Sequence, residues 1–379
     1  MIAELAAAAA LAIWVYLLTA RGGFWLEFLR TPTAPPRPGR APSIVAVIPA
    51  RNEAPSVALA IGSLCSQNYP GPFHIVLVDD GSDDGTAGAA RAAAPAGLLT
   101  VVKAPPLPAG WSGKLWAVAE GVRCAAAHSP DLLLLTDADI VHPPDALAGL
   151  AARAESGYGL VSYMATLECR TLAEHALVPA FVFFFFMLYP PAWVRGNAHR
   201  TAGAAGGCML IRRSVLESIG GIQAIRGALI DDCALAQAVQ RQGARVWLSL
   251  DAGTRSIRSY RSFGEVGRMI SRTAFTQLRH SGWLLLGTVL ALTVTYLVPP
   301  VLSVTGSTRA AGLGSLAWLL MCCAYFPALR FYRRSPLWAP FLPAVALFYM
   351  GATLHSALAW WRGSGGMWKG RVQDAAPRP

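Results

Sequence analysis

Charge is scarce in this chain. Asp, Glu, Lys and Arg make up 14% of its 379 residues, against about 25% in an ordinary soluble domain, while 54% are apolar. A uniformly soluble globule is excluded, so the apolar excess must lie in particular segments. Lysine is nearly missing: with only Lys103, Lys114 and Lys369, the net charge of +11 is carried by arginine. The seven cysteines (65, 124, 169, 208, 233, 322, 323) contain no CxxC pair. An odd, scattered set argues against a disulfide framework or a zinc site and fits a reducing compartment. No GxxxxGK[ST] loop occurs and no GxGxxG follows a strand, which removes the P-loop and the usual dinucleotide fingerprint. Nucleic-acid motifs are missing too, so no nucleic-acid partner is expected.

What is present is unevenly placed. Eight arginines lie between Arg241 and Arg279, opposed only by Asp251 and Glu265, directly before a long apolar stretch. That position favours a membrane-proximal or phosphate-reading role. Residues 3–20 are apolar apart from Glu4, long enough to cross a bilayer, and lack the basic start of a signal peptide. They read as an uncleaved anchor over 1–21, with Arg21 and Arg30 on the cytoplasmic side. A Pro-rich linker follows over 22–42.

Short apolar runs then alternate with Ala-rich helical stretches. Strands are expected at 43–50, 74–81, 98–104 and 131–139, and helices at 54–66, 84–94, 113–128 and 145–155. This alternation implies α/β architecture, a parallel sheet with helices on both faces, and ligands outside the carboxyl ends of the strands. Residues 174–195, aromatic and closed by a Pro pair, fit an interfacial helix or a membrane-facing pocket wall better than a span. Three further stretches, 283–305, 311–329 and 337–361, could each span a bilayer. Arg330, Arg333 and Arg334 place the loop after the second on the cytoplasmic side. Three spans would send the tail outside, whereas Arg362, Lys369 and Arg371 favour inside; Pro340, Pro343 and Gly351 would reconcile the two if the last segment were a re-entrant hairpin. The expected layout is a catalytic segment over 43–280, a membrane region over 281–362 and a basic tail over 363–379.

Each acidic motif sits at an expected strand end. In "VIPARNE" (47–53) and "VDDGSDDGT" (78–86), Asp79 or Asp80 could accept from a base N–H and Glu53 could hold a ribose hydroxyl; a plain capped loop is the alternative. "GWSGKLWAVAEG" (110–121) opens a helix with Lys114, a reasonable phosphate site. "LLLLTDAD" (132–139) drives four leucines into Asp137 and Asp139, which would share a face if the strand pleat persisted. Two such carboxylates call for a positive partner, and a hard divalent ion, Mg²⁺ or Mn²⁺, held with ligand phosphates is the simplest. Asp231 and Asp232 open an amphipathic helix, where they serve as N-terminal charges or supply a general base.

Taken together, "VIPARNE", "VDDGS…T", "GK…A…G", "TDAD" and an acidic pair before "L…R…G" resemble the family 2 glycosyltransferases over roughly 43–280. The resemblance implies a GT-A fold, a Rossmann-like mixed sheet, here joined by N- and C-terminal transmembrane helices. It implies that Pro49, Glu53, Asp79, Asp80 and Lys114 meet a nucleotide diphosphate sugar, that Asp139 with Asp137 holds the metal, and that Asp232, beside Asp231, is the catalytic base. "GGCMLIRRSVLESIGG" (206–221) looks like the acceptor-side loop, with Gly206 and Gly207 leaving room for substrate. Two departures stand out: the acidic pair is Asp-Asp rather than Glu-Asp, and Arg272, which would meet the leaving diphosphate, is followed by Thr rather than Trp, so processive synthesis is not expected. The anchor, the arginine-rich 271–281 and the closing "WKGR" look most like the hopene-associated glycosyltransferases of bacterial hopanoid clusters. The expected activity is inverting sugar transfer to a lipid acceptor, by a multi-pass protein of a bacterial inner membrane with its catalytic domain in the cytoplasm. A phosphotransferase of the haloacid-dehalogenase type, with Asp137 as nucleophile, and a non-catalytic membrane scaffold are the competing readings.

Overall fold

A computed structural model describes residues 1–30, 41–196, 199–368 and 371–372. Most of the Pro-rich linker and Lys369 of the tail fall outside the described residues. The chain divides into two compact units, one of residues 31–168 and 193–258, the other of 1–30, 169–192 and 259–379. The expected catalytic segment 43–280 therefore draws on both.

The first unit is built on eight strands: β1 (Ile44–Ala50), β2 (Phe73–Asp79), β3 (Leu99–Lys103), β4 (Leu132–Thr136), β5 (Ile140–Val141), β6 (Leu160–Thr166), β7 (Cys208–Arg212) and β8 (Val246–Ser256). Their order is β3-β2-β1-β4-β7-β6-β8-β5. β1 to β4 run parallel, joined by helices Ala54–Cys65, Thr86–Ala92 and Gly113–Ala125. β7 lies antiparallel to both β4 and β6, and β6 is parallel to β8, so the sheet is mixed. All seven residues of β1 are buried, as a central strand covered on both faces requires. Ile44, Ile48, Ile61, Leu64, Ile75 and Leu134 pack in one core, each fully buried side chain stabilising by about 1.5–3 kcal/mol. β1 hydrogen-bonds to β2 on one side and β4 on the other, so the chain order reverses there, and the crevice outside their carboxyl ends is the expected ligand position.

The second unit is helical. Ile2–Thr19, Gly282–Thr305, Thr308–Phe331 and Pro336–Trp361 are four helices long and apolar enough to cross a membrane. The second is interrupted by a π turn at Thr293–Leu297, directly before Pro299 and Pro300, which have no N–H to continue the ladder. The indole N–H of Trp14 donates to the Thr295 carbonyl at 2.8 Å, supplying a partner for that irregular backbone. A re-entrant hairpin is not formed in the last segment. Leu342–Trp361 is one continuous helix through Gly351, because Pro343 falls in its first turn, where proline is tolerated, and Pro340 precedes it in a 3₁₀ turn.

Helix Leu172–Leu188 buries Ala173, Leu177, Val178, Val182, Phe183 and Phe186 within the helical unit. Arg21 caps its last turn, donating to the carbonyls of Met187 and Leu188 at 3.0 and 3.3 Å. At its other end His175 Nε2 lies 2.7 Å from the guanidinium of Arg334.

Candidate active site

The site grows from four local decisions in the first unit. β4 stops at Thr136, and the Ile140 N–H bonds to the Asp137 carbonyl at 3.2 Å, so the pleat does not continue through 137–139. The two aspartates stand on a turn, still close enough for Asp139 to repel charge on Asp137. Helix Gly113–Ala125 starts at Ser112, whose hydroxyl accepts from Leu115 N, and places Lys114 in its first turn. Gly121 lets that helix lie against the sheet, since a Cβ there would be 2.3 Å from Val47 Cγ1. Helix Asp231–Arg241 begins with its two acids, near the favourable end of the helix dipole. The loop before β7 brings Gly206 against them.

Lys114 joins these pieces. Its ammonium is 3.0 Å from Asp137 Oδ1 and 3.1 Å from Asp231 Oδ2. Burial works against that charge, but the two carboxylates outweigh it and hold the Lys114 pKa above the ordinary lysine value. Asp137 is pushed up by burial, aided by Asp139 and Asp231, despite the pull of Lys114. Asp232 accepts from the backbone N–H of Gly206 at 2.8 Å and of Cys233 at 2.7 Å. Burial and the neighbouring Asp231 push its pKa up to about 6 even so. Asp137 and Asp231, with Lys114, Thr136, Gly206 and Pro49, line a cavity floored by Leu115, Val118, Leu135 and Met209. Asp80, Asp139 and Asp232 are not part of that lining.

Asp139 belongs to a second cluster. Its Oδ2 accepts from Ser256 Oγ and Arg258 Nε, both at 3.0 Å, and Arg258 Nη2 donates to Glu53 Oε1 at 2.6 Å. Glu53 also bonds the Ser56 hydroxyl at 3.1 Å. The first two motifs are laced together: Asn52 N donates to Ser82 Oγ, Asp83 N to Asn52 Oδ1 and Glu53 N to Thr86 Oγ1. Asp79 Oδ1 accepts from Ser82 N at 2.9 Å, and buried Asp80 has Arg51 Nη1 3.6 Å from its Oδ2.

Pro49, Lys114, Asp137, Asp231 and Gly206 are thus brought together around one cavity, with Asp232 behind Gly206. Glu53, Asp139 and Arg258 form the adjoining group. Arg272 caps helix Phe263–Ser271 in the helical unit. Neither glycine has room for a side chain: a Cβ on Gly206 would stand 3.2 Å from Asp232 Oδ2, and one on Gly207 3.0 Å from Ile140 Cδ1. Two residues escaped the sequence reading. Arg258 was one among eight arginines, with nothing local to single it out. His142, three residues past "LLLLTDAD", is buried, with Nε2 3.0 Å from Thr136 Oγ1, which donates to the Gly207 carbonyl at 2.8 Å. Burial lowers its pKa to about 4, so it holds that loop as a neutral ring. A polar side chain amid an apolar strand end was the signal.

Comparison with known proteins follows the same lines. The family described as "Glycosyltransferase like family 2" matches residues 41–276, more than half of the chain. No curated protein matches. Among solved structures, the mannosyltransferase PcManGT from Pyrobaculum calidifontis, in complex with GDP-Man and Mn²⁺, is 21% identical with a TM-score of 0.60, covering 94% of this chain and 99% of that one. Glucosyl-3-phosphoglycerate synthase from Mycobacterium tuberculosis, in complex with phosphoglyceric acid, is 20% identical with a TM-score of 0.42, covering 64% and 85%. The mixed sheet with helices on both faces is the GT-A fold, carried here with apolar helices at both ends of the chain. By its sequence match, the chain belongs to glycosyltransferase like family 2.

Proposed function

We propose that this glycosyltransferase takes a sugar from a nucleotide diphosphate donor and transfers it, with inversion, to a lipid acceptor. The observation that carries the reading is Lys114, held between Asp137 and Asp231 at the carboxyl ends of β1 and β4. A lysine in that position neutralises the acids and turns a donor-bearing group toward a crevice where a diphosphate belongs.

The charges decide whether a metal fits. Among the described residues, the five carboxylates Glu53, Asp137, Asp139, Asp231 and Asp232 lie around the two cations Lys114 and Arg258. A diphosphate entering this excess of negative charge would be repelled. The donor atoms are hard oxygens, the set that Mg²⁺ and Mn²⁺ prefer. The residues therefore fit a divalent ion, with Asp137 and Asp139 to hold it. Bound there, the ion would neutralise charge on the diphosphate as it leaves.

The chain's own residues do the rest. Asp232, with its pKa near 6, accepts the proton of the acceptor hydroxyl as that oxygen attacks the anomeric carbon from the face opposite the leaving diphosphate. Asp231 keeps Lys114 in place, and the two backbone amides on Asp232 fix its orientation. Lys114 donates to the diphosphate oxygens, a service often worth about 3 kcal/mol per donor. Pro49, Asp79 and Asp80 shape the nucleotide end.

Support for a lipid acceptor comes from the four apolar helices carried by the same chain. The bilayer is then the protein's partner, and a bacterial inner membrane its place, with the sheet unit on the cytoplasmic side by the arginine rule applied to Arg330, Arg333 and Arg334. A hopanoid-related acceptor is the specific expectation. Mass spectrometry of lipids from cells with and without the gene tests it. A lipid carrying an added hexose only in cells with the gene supports the reading, and identical lipid profiles oppose it.

A further inference from the structure

The two acids that the family resemblance assigns to different ligands, Glu53 to the nucleotide and Asp139 to the metal, are gripped by one side chain. Arg258 lies two residues beyond the end of β8. Its Nε donates to Asp139 Oδ2 at 3.0 Å and its Nη2 to Glu53 Oε1 at 2.6 Å. Ser256 Oγ donates to the same Asp139 oxygen and accepts from the Arg258 backbone N–H, so the group is held from both sides. Asp139 is 7% exposed, whereas the Arg258 side chain is 38% exposed. Its side-chain bonds among the described residues run through Nε and Nη2, which leaves Nη1 uncommitted to the protein.

Two cations cannot share one buried carboxylate without repelling each other. A divalent ion at Asp139 must therefore compete with Arg258. A guanidinium freed from Asp139 keeps a planar fork of N–H donors suited to a phosphate group. We propose that Arg258 is an internal cation that closes Asp139 and Glu53 in the donor-free enzyme, and that it exchanges these acids for the donor diphosphate when a divalent ion takes Asp139. This rests on the metal-assisted reading above and adds a donor-binding residue to it. Arg258 has opposite effects on the two ligands: it weakens the metal bound alone and strengthens the nucleotide diphosphate.

The test uses the detergent-solubilised full chain, with Mn²⁺ binding followed by electron paramagnetic resonance and UDP and GDP binding by calorimetry at saturating Mn²⁺. Arg258→Gln is expected to bind Mn²⁺ alone at least five-fold more tightly than wild type, and its better nucleoside diphosphate at least ten-fold more weakly. Arg258→Lys keeps the charge without the fork and is expected between the two in both measurements, so it carries the comparison if the glutamine variant does not fold. A residue with only a structural role would weaken both ligands when replaced. Unchanged or weaker Mn²⁺ binding in the variants, with Mn²⁺ binding intact in wild type, overturns this inference alone. No Mn²⁺ binding to any of the proteins, with or without nucleotide, overturns both this inference and the metal-assisted reading.

Discussion

The Gly206 amide donates to Asp232 Oδ2 at 2.8 Å, so close that even a methyl group on Gly206 would crowd that oxygen at 3.2 Å and Lys114 Nζ at 3.4 Å. Gly206→Ala is therefore expected to displace the acid or the lysine. Overpacking of this kind costs about 1–3 kcal/mol. The expected outcome is a fall in kcat of at least ten-fold, with a small loss in Tm, checked by steady-state kinetics beside thermal unfolding.

As the base proposed above, Asp232 would set the pH dependence. That role requires the deprotonated form, and burial beside Asp231 raises its pKa to about 6. Activity is then full above that value and falls as pH drops through it, about ten-fold per unit once the acid is mostly protonated. The pH profile of kcat should rise with a midpoint near 6. A midpoint near 4, the ordinary value for an aspartate, would point to another base.

Lys114→Met leaves Asp137 and Asp231 without their shared cation. All three groups keep some solvent contact, so the loss of stability is expected to be about 2 kcal/mol rather than the 3–5 of a fully buried pair. Activity should suffer more, by at least a hundred-fold. Parallel measurement of unfolding and turnover separates the two effects.

Glu174 anchors the start of helix Leu172–Leu188. Its carboxylate accepts from the backbone N–H groups of Arg170, Thr171 and Tyr260 while fully buried. Burial alone would raise its pKa, but these amides prevail and lower it below the ordinary 4.5. Its contribution to stability is present above pH 4.5 and is lost as pH falls through the lowered value. Glu174→Gln turns an NH₂ toward backbone donors and should cost about 2–3 kcal/mol at pH 7. That difference should shrink below pH 4, as read from unfolding curves of the two proteins.

The unbroken helix Leu342–Trp361 has a topological consequence. If all four apolar helices cross, both chain ends lie across the membrane from the sheet unit, against the charge of Arg362, Lys369 and Arg371. A protease-cleavable tag after residue 379 should be cut from the periplasmic side of intact spheroplasts and protected in inside-out vesicles.

Much of the sheet was legible because buried parallel strands are near-continuous apolar runs bounded by Gly, Pro and Asp. The expected 43–50, 74–81 and 98–104 differ from β1, β2 and β3 by one or two residues at their ends. Extending β4 to residue 139 failed for a local reason: the Asp137–Ile140 turn is closed by a backbone bond that periodicity cannot show. The positive partner demanded by "TDAD" was asked for correctly, but the chain supplies two of its own. Lys114 was visible as a rare lysine at a helix start. Arg258 reaches Asp139 across 119 residues, a pairing set by the β5–β8 contact and written in no local pattern. Glu174 was readable and overlooked, since Thr171 and Glu174 have the spacing of a capping box before an apolar run. The hairpin expected at the last helix gave too much weight to Pro340 and Pro343, which mark its entry.

The most direct test follows a radiolabelled nucleotide sugar incubated with the detergent-solubilised chain and a lipid extract from its host. With Mn²⁺ present, label should move into the organic phase; chelation by EDTA should stop the transfer, and Asp137→Asn should reduce it by at least a hundred-fold. Label that stays with the nucleotide under every condition, or transfer that proceeds unchanged in EDTA and in Asp137→Asn, would contradict the account.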